Sequence, residues 1–472
     1  MKRLTLATLL LCLYTIALQA AWVNPNIIRD ITLPVVWIHT VDRQEPVAES
    51  VSAPKGCLGM GITGANKVGC RVVITQLQDT LYDSGPYLKD STGATVKVTG
   101  NSSALFYNKP YKLKLEKKAD LLFRGDKRYK DKDWRLAKDA TSLNTMLGLW
   151  VSRRVGMPWT PACQPCNVIL NDDYKGCYLI LESVDRNKDC RIDVDKQQGY
   201  IVERDPYWWN DHPHFETPFF ADTVLYRWTW KHPDEDKYTA PQEEYIQSRL
   251  TQLEQRLDSG AYEDLMDLRS WAAYLLAHDI LAIYDAGGAN MFVAKRDESD
   301  STRLFIPCLW DFDTAMGVDQ GVFSITHHRR TASYYPRLLA SRNAAFRAAY
   351  KQLWREVRPN IYNDLMTWLT ALVETPEMQA LNLSRTQYTR RWYYYLRTVE
   401  YDASVIIYYM RQHLASLDTL IEGIDDGAAG IGGTAADQAP PTLSGSRKYS
   451  LAGRPATRRD RLVVSQGKVV MR

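Results

Sequence analysis

Apolar and polar side chains alternate cleanly in Tyr111-Lys-Leu-Lys-Leu-Glu116, where leucines and lysines take turns. A period of two is typical of a strand with one buried face. Shorter runs of the same kind, bounded by Gly and Asn turns, lie at Pro34–His39, Arg71–Thr75 and Ala94–Val98. The pattern therefore predicts a strand-rich region between about residues 31 and 116.

Later segments change to a helical period. Helices are predicted at Ser142–Val155, Gln242–Leu257 and Leu265–Ile283, and a largely helical region at Arg342–Ile424. Between the first two, Asn167–Glu182 has two apolar runs around an Asn-Asp turn, which predicts a hairpin. Strands first and helices later indicate an α+β fold.

Both ends of the chain differ from this middle. Lys2 and Arg3 precede the apolar stretch Leu4–Ala17 and the small residues of Gln19-Ala-Ala21, which is the pattern of a signal peptide over residues 1–20. A membrane anchor is the alternative, but the stretch is short for a span. Residues 425–445 are rich in Gly, Ala and Pro and predict a flexible linker, followed by a small β tail over 446–472.

Charge and cysteine content limit the classes of partner. The formal net charge of +4 over 472 residues is small, so charge gives no indication of a nucleic-acid partner. An exported chain can form disulfides. Cys57 with Cys70 is one candidate pair, and another could come from Cys163, Cys166, Cys177 and Cys190, with the pairing left open. The single Cys163-Gln-Pro-Cys166 motif has no second metal-binding motif beside it, so zinc is not favoured.

Two acids follow an apolar run in Leu304–Gly317. Asp311 and Asp313 flank Phe312, directly after a segment that reads as buried. At strand spacing the two carboxylates would point to the same side and could hold one Mg²⁺. An exposed pair of acids in a loop is the alternative.

Further upstream, Asp285 stands at the predicted exit of a helix, and Asn290 opens the next strand. Phosphoryl transfer needs a carboxylate that orients the attacking hydroxyl and hard oxygen ligands that hold Mg²⁺. Asp285 would supply the orienting carboxylate and Asn290 an amide ligand. Two strands later, an aspartate would supply a second metal ligand, so the groups follow one another in a suitable order. A capped helix end and a solvated loop would have the same residues.

Several segments, in order, resemble the CotH-type protein kinases, an atypical kinase family. They are Val98-Thr-Gly-Asn-Ser-Ser103 with Asn108–Leu115, Trp134-Arg-Leu136 with Asp139–Leu143, Leu170–Glu182, Gly199–Asp205, Lys231–Glu235, Asp285–Asn290 and Leu309–Gly317. The resemblance covers about residues 96–424, which leaves 21–95 as a separate N-terminal β-rich region. The end of the chain is similar to the C-terminal tails of exported proteins of the Bacteroides group.

The resemblance implies an atypical protein-kinase-like fold with a β-rich N-terminal lobe, a helical C-terminal lobe and ATP between them. Lys114 would reach the phosphates and pair with Glu182, although Lys112 and Lys138 are alternatives to Lys114. Gly100 and Asn101 would form the turn over the phosphates. Asp311, Asp313 and Asn290 would hold Mg²⁺, and Asp285 would orient a Ser or Thr hydroxyl of a protein substrate.

Two departures keep other functions open. The family has arginine where this chain has Thr99 and Asn144. A non-catalytic protein, secreted or associated with the cell surface, could recognise a glycan or a protein through Tyr207–Trp209 and Trp228–Trp230. A metal-dependent hydrolase that uses the same acids is a third possibility.

Overall fold

The computed structural model describes residues 21–57, 60–210, 212–218, 226–257, 259–283, 290–317 and 334–424, and the backbone of 449–450, 462–465 and 468–471. Asp285, the expected signal peptide and the expected linker lie outside the described residues.

Seven strands form a sheet that closes on itself. These are β1 (Val35–Thr40), β4 (Val68–Gln76), β6 (Ala94–Val98), β7 (Tyr111–Ala119), β8 (Asp131–Ala137), β9 (Cys163–Leu170) and β10 (Asp173–Glu182). Their order is β1–β9–β10–β8–β7–β6–β4, and β4 pairs back with β1. We call this the closed sheet. The β1–β9 pair is parallel and the other pairs are antiparallel. β5 (Asp79–Asp83) extends β4, and β2 (Glu49–Ser52) pairs with β3 (Met60–Thr63).

Apolar side chains fill the interior of the closed sheet. The alternation predicted for β7 is confirmed, since Tyr111, Leu113 and Leu115 are buried inside while Lys112 and Lys114 point outward. Other interior residues are Val36, Ile38, Val72, Ile74, Val96, Trp134, Leu136, Val168 and Ile180. Burial of this much apolar area is the main stabilising contribution to such an element.

The helices pack on one side of the closed sheet. They are α1 (Pro25–Arg29), α2 (Asn144–Arg154), α3 (Ala240–Arg256), α4 (Leu268–Leu281), α5 (Tyr334–Ala340), α6 (Ala345–Val373), α7 (Pro376–Trp392) and α8 (Val399–Glu422). The outward-facing Ile169, Leu179 and Leu181 of β9 and β10 belong to the same apolar core as the helices. The helices expected within residues 142–155, 242–257, 265–283 and 342–424 are confirmed, with ends shifted by a few residues.

A second sheet has four strands in the order β12–β13–β11–β14. They are β11 (Tyr200–Asp205), β12 (His214–Phe215), β13 (Arg227–His232) and β14 (Met291–Lys295). One face, which includes Val202, Trp228 and Trp230, joins the large helical core. Trp228 and Trp230 are 1% and 3% exposed, so they are core residues and do not form the surface platform considered as an alternative.

The acid motif does not end a strand. Of the two strands expected between Asn290 and Asp311, the first is β14. The second is absent from the described residues, where an isolated bridge joins Phe305 to Ala294. Asp311 has a φ of 62°, in the left-handed region, so simple strand alternation does not apply to Asp311 and Asp313. Their placement depends on contacts with other elements.

The mixed architecture, strand-rich first and helical later, is confirmed. The strand-rich part is a closed sheet, and the kinase-like two-lobed arrangement stays a prediction. It takes strands from both sides of residue 96. Near the C-terminus, β15 (Tyr449–Ser450), β16 (Leu462–Ser465) and β17 (Lys468–Met471) pair with one another. In the described part of the chain, no helix combines the length and the apolar character needed to cross a membrane.

Cys70, Cys163, Cys166, Cys177, Cys190 and Cys308 form no disulfide bond with one another. Cys70, which was one half of the candidate pair with Cys57, is buried inside the closed sheet. Cys166 also points inward, whereas Cys163 packs against the helical core, so this CxxC pair faces opposite sides of β9. That orientation does not suit a shared metal ion.

Candidate active site

Helix α2 fixes the loop that contains Asp311 and Asp313. The side-chain amide of Asn144 donates a 2.9 Å hydrogen bond from Nδ2 to the main-chain carbonyl of Asp313. Phe312, between the two acids, is 2% exposed, and its ring lies directly against Gly148. The two acids therefore extend from a loop whose backbone accepts a hydrogen bond from α2 and whose central ring is buried.

Lys138 is near enough to these acids for their charges to act on its ammonium. It follows β8 directly, and its Nζ is 4.1 Å from the ring centre of Phe106. Burial lowers the pKa of Lys138, and the negative charges of Asp139, Asp313 and Asp311 partly offset that effect. The sequence named Lys138 only as an alternative to Lys114 for phosphate binding. Of Lys112, Lys114 and Lys138, it is Lys138 whose ammonium is influenced by both acids of the pair.

Asp139 is a further acid at this position. Burial raises the pKa of Asp139 to about 6, and the nearby charge of Asp313 adds to the increase. The Thr145 hydroxyl, on the first turn of α2, donates a 3.1 Å hydrogen bond to Asp139 Oδ2 and opposes the shift. Asp139 belongs to the segment Asp139–Leu143, which resembles a family motif. Its raised pKa could not be predicted from the sequence, because only the fold brings Asp139 near Asp313.

Lys114 occupies a different place. It is exposed on the outer face of β7, opposite Asp133 of β8 in the strand register. Its neighbour Lys112 forms an ion pair with Asp133, with 2.9 Å between Nζ and Oδ1. Lys97 and Arg135 are aligned with Lys112 on the flanking strands, so this outer face of β6–β8 is rich in positive charge.

The expected Lys114–Glu182 pair is wrong. Glu182 is aligned with Trp134, which points into the closed sheet, so Glu182 lies on the opposite face from Lys114. The cation that reaches Glu182 is Arg124, whose Nη1 is 2.9 Å from Oε1. The main-chain N–H of Ala162 donates a second hydrogen bond of 2.9 Å to Glu182 Oε2.

Gly100 and Asn101 do form a turn. Gly100 has a φ of 89°, a conformation that favours glycine, and Asn101 accepts a 2.9 Å hydrogen bond from Asn210. The preceding Thr99 accepts a hydrogen bond from the guanidinium of Arg135. Thr99, which stands where the family has arginine, thus contacts an arginine supplied by β8.

Asn290 has a φ of 57° and precedes β14. The Arg204–Met291 pair in the sheet register brings Asn290 next to Asp205 at the end of β11. Burial, followed by the charge of Glu203, raises the pKa of Asp205. Asn290 therefore lies at one end of the second sheet, next to the buried Asp205. The sequence did not assign Asp205 to a site.

A separate group of three acids lies on β8 and after β10. Among the described residues, Asp131, Asp133 and Asp185 are the one set of three metal-ligating side chains with ligand atoms within 4.8 Å of one another. Cations already balance this set: Lys112 pairs with Asp133, and the buried Arg191 has its Nη1 3.6 Å from Asp131 Oδ1. We interpret the group as a structural ion-pair network.

Comparison with known proteins gives one family. The sequence profile described as CotH kinase protein matches residues 96–415, more than half of the chain. A search of curated proteins gave no match. The matched region includes every candidate site residue discussed above, from Thr99 to Asp313. The chain belongs to the CotH kinase family.

Proposed function

We propose that the chain is an exported, Mg²⁺-dependent phosphotransferase that moves the γ-phosphate of ATP to a Ser or Thr hydroxyl of a protein. The observation that carries the proposal is that the charges of Asp311 and Asp313 act on the Lys138 ammonium, in a chain of the CotH kinase family. A cation for phosphate next to hard oxygen ligands for Mg²⁺ is what phosphoryl transfer requires.

The residues present suit these two ligands. Mg²⁺ prefers oxygen ligands, which the carboxylates of Asp311 and Asp313 and the side-chain amide of Asn290 would provide. The bound Mg²⁺ would neutralise negative charge on the phosphates. Lys138 is anchored over the Phe106 ring and is partly desolvated, so it would bind phosphate oxygens more strongly than an exposed lysine. Lys138 therefore takes the phosphate-binding role first considered for Lys114.

The remaining roles rest on the family resemblance. Asp285 would accept a hydrogen bond from the acceptor hydroxyl and orient its oxygen toward the phosphorus atom. Gly100 and Asn101 would place a turn over the phosphates, near the basic outer face of β6–β8. Arg135, which donates to Thr99, ties that turn to β8. A two-lobed arrangement with ATP between the closed sheet and the helices is part of this proposal.

The test is incubation of the full chain with γ-labelled ATP, with and without Mg²⁺, in the presence of a Ser- and Thr-rich polypeptide. We expect label on protein only when Mg²⁺ is present, and loss of that label in Asp311→Asn. Release of free phosphate without labelled protein would identify a hydrolase. Absence of both, in a protein shown to be folded, would favour the non-catalytic surface protein.

A further inference from the structure

We infer that the first turns of α2 act as a clamp that sets the position of the Asp311–Asp313 loop for cation binding. The clamp consists of Asn144, Thr145 and Gly148. This inference rests on the proposed function, and it assigns positioning roles to residues that touch neither phosphate nor metal directly.

Asn144 supplies the directional contact. Its Nδ2 donates 2.9 Å to the carbonyl oxygen of Asp313, across 169 positions of sequence. The bond fixes the peptide of Asp313 and, through it, the direction of the carboxylate. Residues 306–312 belong to no strand, so the position of this loop is set by contacts with other elements, of which α2 is one.

Gly148 supplies space one helical turn later. A Cβ at this position would lie 2.0 Å from Cδ1 of Phe312, well below any allowed contact. The ring can therefore approach the helix only because residue 148 has no side chain. Asn144 and Gly148 are four residues apart and share one face of α2, so the hydrogen bond and the ring contact act on the same loop from the same direction.

Thr145 extends the clamp to the other component of the site. Its hydroxyl donates a 3.1 Å hydrogen bond to Asp139, the residue after Lys138. One helical turn thus holds both the acid loop and the segment that carries the lysine. Residues that orient metal ligands without binding the metal typically change metal affinity by about 10- to 100-fold when they are replaced.

Luminescence of Tb³⁺, a hard cation that binds oxygen ligands, provides a test that does not depend on enzymatic turnover. Trp310 adjoins Asp311 and can sensitise the ion, and Mg²⁺ should compete with it. We expect wild type to bind Tb³⁺, Asp311→Asn to lose binding, and Trp310→Phe to lose only the sensitised signal.

Asn144→Leu removes the amide donor with little change in volume, and Gly148→Ala displaces the Phe312 ring. Each should weaken Tb³⁺ binding at least about 10-fold. Asn363→Leu makes the same change at an exposed position of α6 and should leave binding unchanged. Urea denaturation identifies any variant that is unfolded under the assay conditions, and Thr145→Val then serves as a milder second variant.

The outcomes separate the two proposals. Tight Tb³⁺ binding in wild type with equal affinity in folded Asn144→Leu and Gly148→Ala would overturn the clamp and leave the metal site standing. Absence of Asp311-dependent Tb³⁺ binding in wild type would overturn both. Weaker binding in both clamp variants, with Asn363→Leu unchanged, supports the inference.

Discussion

Glu182 and Lys114 lie on opposite faces of the closed sheet. The register aligns Glu182 with Trp134, which is inside, while Lys114 is on the outer face with Lys112. The lysine–glutamate pair expected from the family resemblance is therefore replaced by the Arg124–Glu182 pair. Glu182 has a structural position in this chain, and in the part of the chain that the structure describes, Lys138 supplies positive charge near the two acids.

Arg124→Met should destabilise the protein by about 3 kcal/mol, because it leaves the carboxylate of Glu182, which is 2% exposed, without its cation. Lys114→Met, on the exposed outer face, should change the free energy of unfolding by less than about 0.5 kcal/mol. Urea denaturation of both variants measures the difference. Equal effects would contradict the assignment of Glu182 to Arg124.

The stability of Asp185→Asn relative to wild type should depend on pH. Burial and the charge of Asp133 raise the pKa of Asp185 from 3.8 to about 6. The folded state thus binds the proton more tightly than the unfolded chain, and ionisation of Asp185 costs stability as pH rises through this window. The variant cannot ionise there, so it should gain about 2 kcal/mol on wild type between pH 4 and pH 7.

Asp189→Asn, a change at an exposed acid four residues away, is the matched control for that series. Its stability relative to wild type should vary little over the same pH range. Urea denaturation at pH 4, 5, 6 and 7 gives both curves. A pH-independent difference for Asp185→Asn would show that Asp185 is ionised normally in the folded protein.

Lys295→Met should destabilise the second sheet. The Lys295 side chain is buried, and its ammonium donates to the carbonyl oxygens of Asp297, Ser299 and Thr302 at 2.8–3.1 Å and to the Thr302 hydroxyl at 2.6 Å. Removal of the cation takes its donor from all three carbonyls, although those of Asp297 and Ser299 still accept hydrogen bonds from Thr302. We expect a cost of about 3 kcal/mol. Lys196→Met, at an exposed lysine, should cost less than about 0.5 kcal/mol in the same denaturation experiment.

Local sequence patterns predicted the elements well. The leucine–lysine alternation of β7 identified its inner and outer faces, and the helical periods located α2, α4 and the C-terminal helices. These patterns are local, because buried positions recur along a helix or a strand with the period of that element. The hairpin β9–β10 was recognised for the same reason.

Relationships between distant elements could not be predicted in this way. The parallel β1–β9 pair and the return of β4 to β1 close the sheet, and no local pattern encodes either pairing. The face on which Glu182 lies depends on its register with Trp134, so a motif alone could not choose between Lys114 and another cation. The contact of Asn144 with Asp313 spans 169 positions and is visible only in the fold.

Titration calorimetry with ATP and Mg²⁺ tests the central claim most directly, because it needs no acceptor. Wild type and Lys114→Met should bind Mg²⁺–ATP with affinities within about twofold of each other, and Lys138→Met should bind at least about 10-fold more weakly, as expected for loss of a hydrogen bond to a charged phosphate. Unchanged binding in folded Lys138→Met, with binding lost in Lys114→Met, would contradict the site built on Lys138, Asp311 and Asp313.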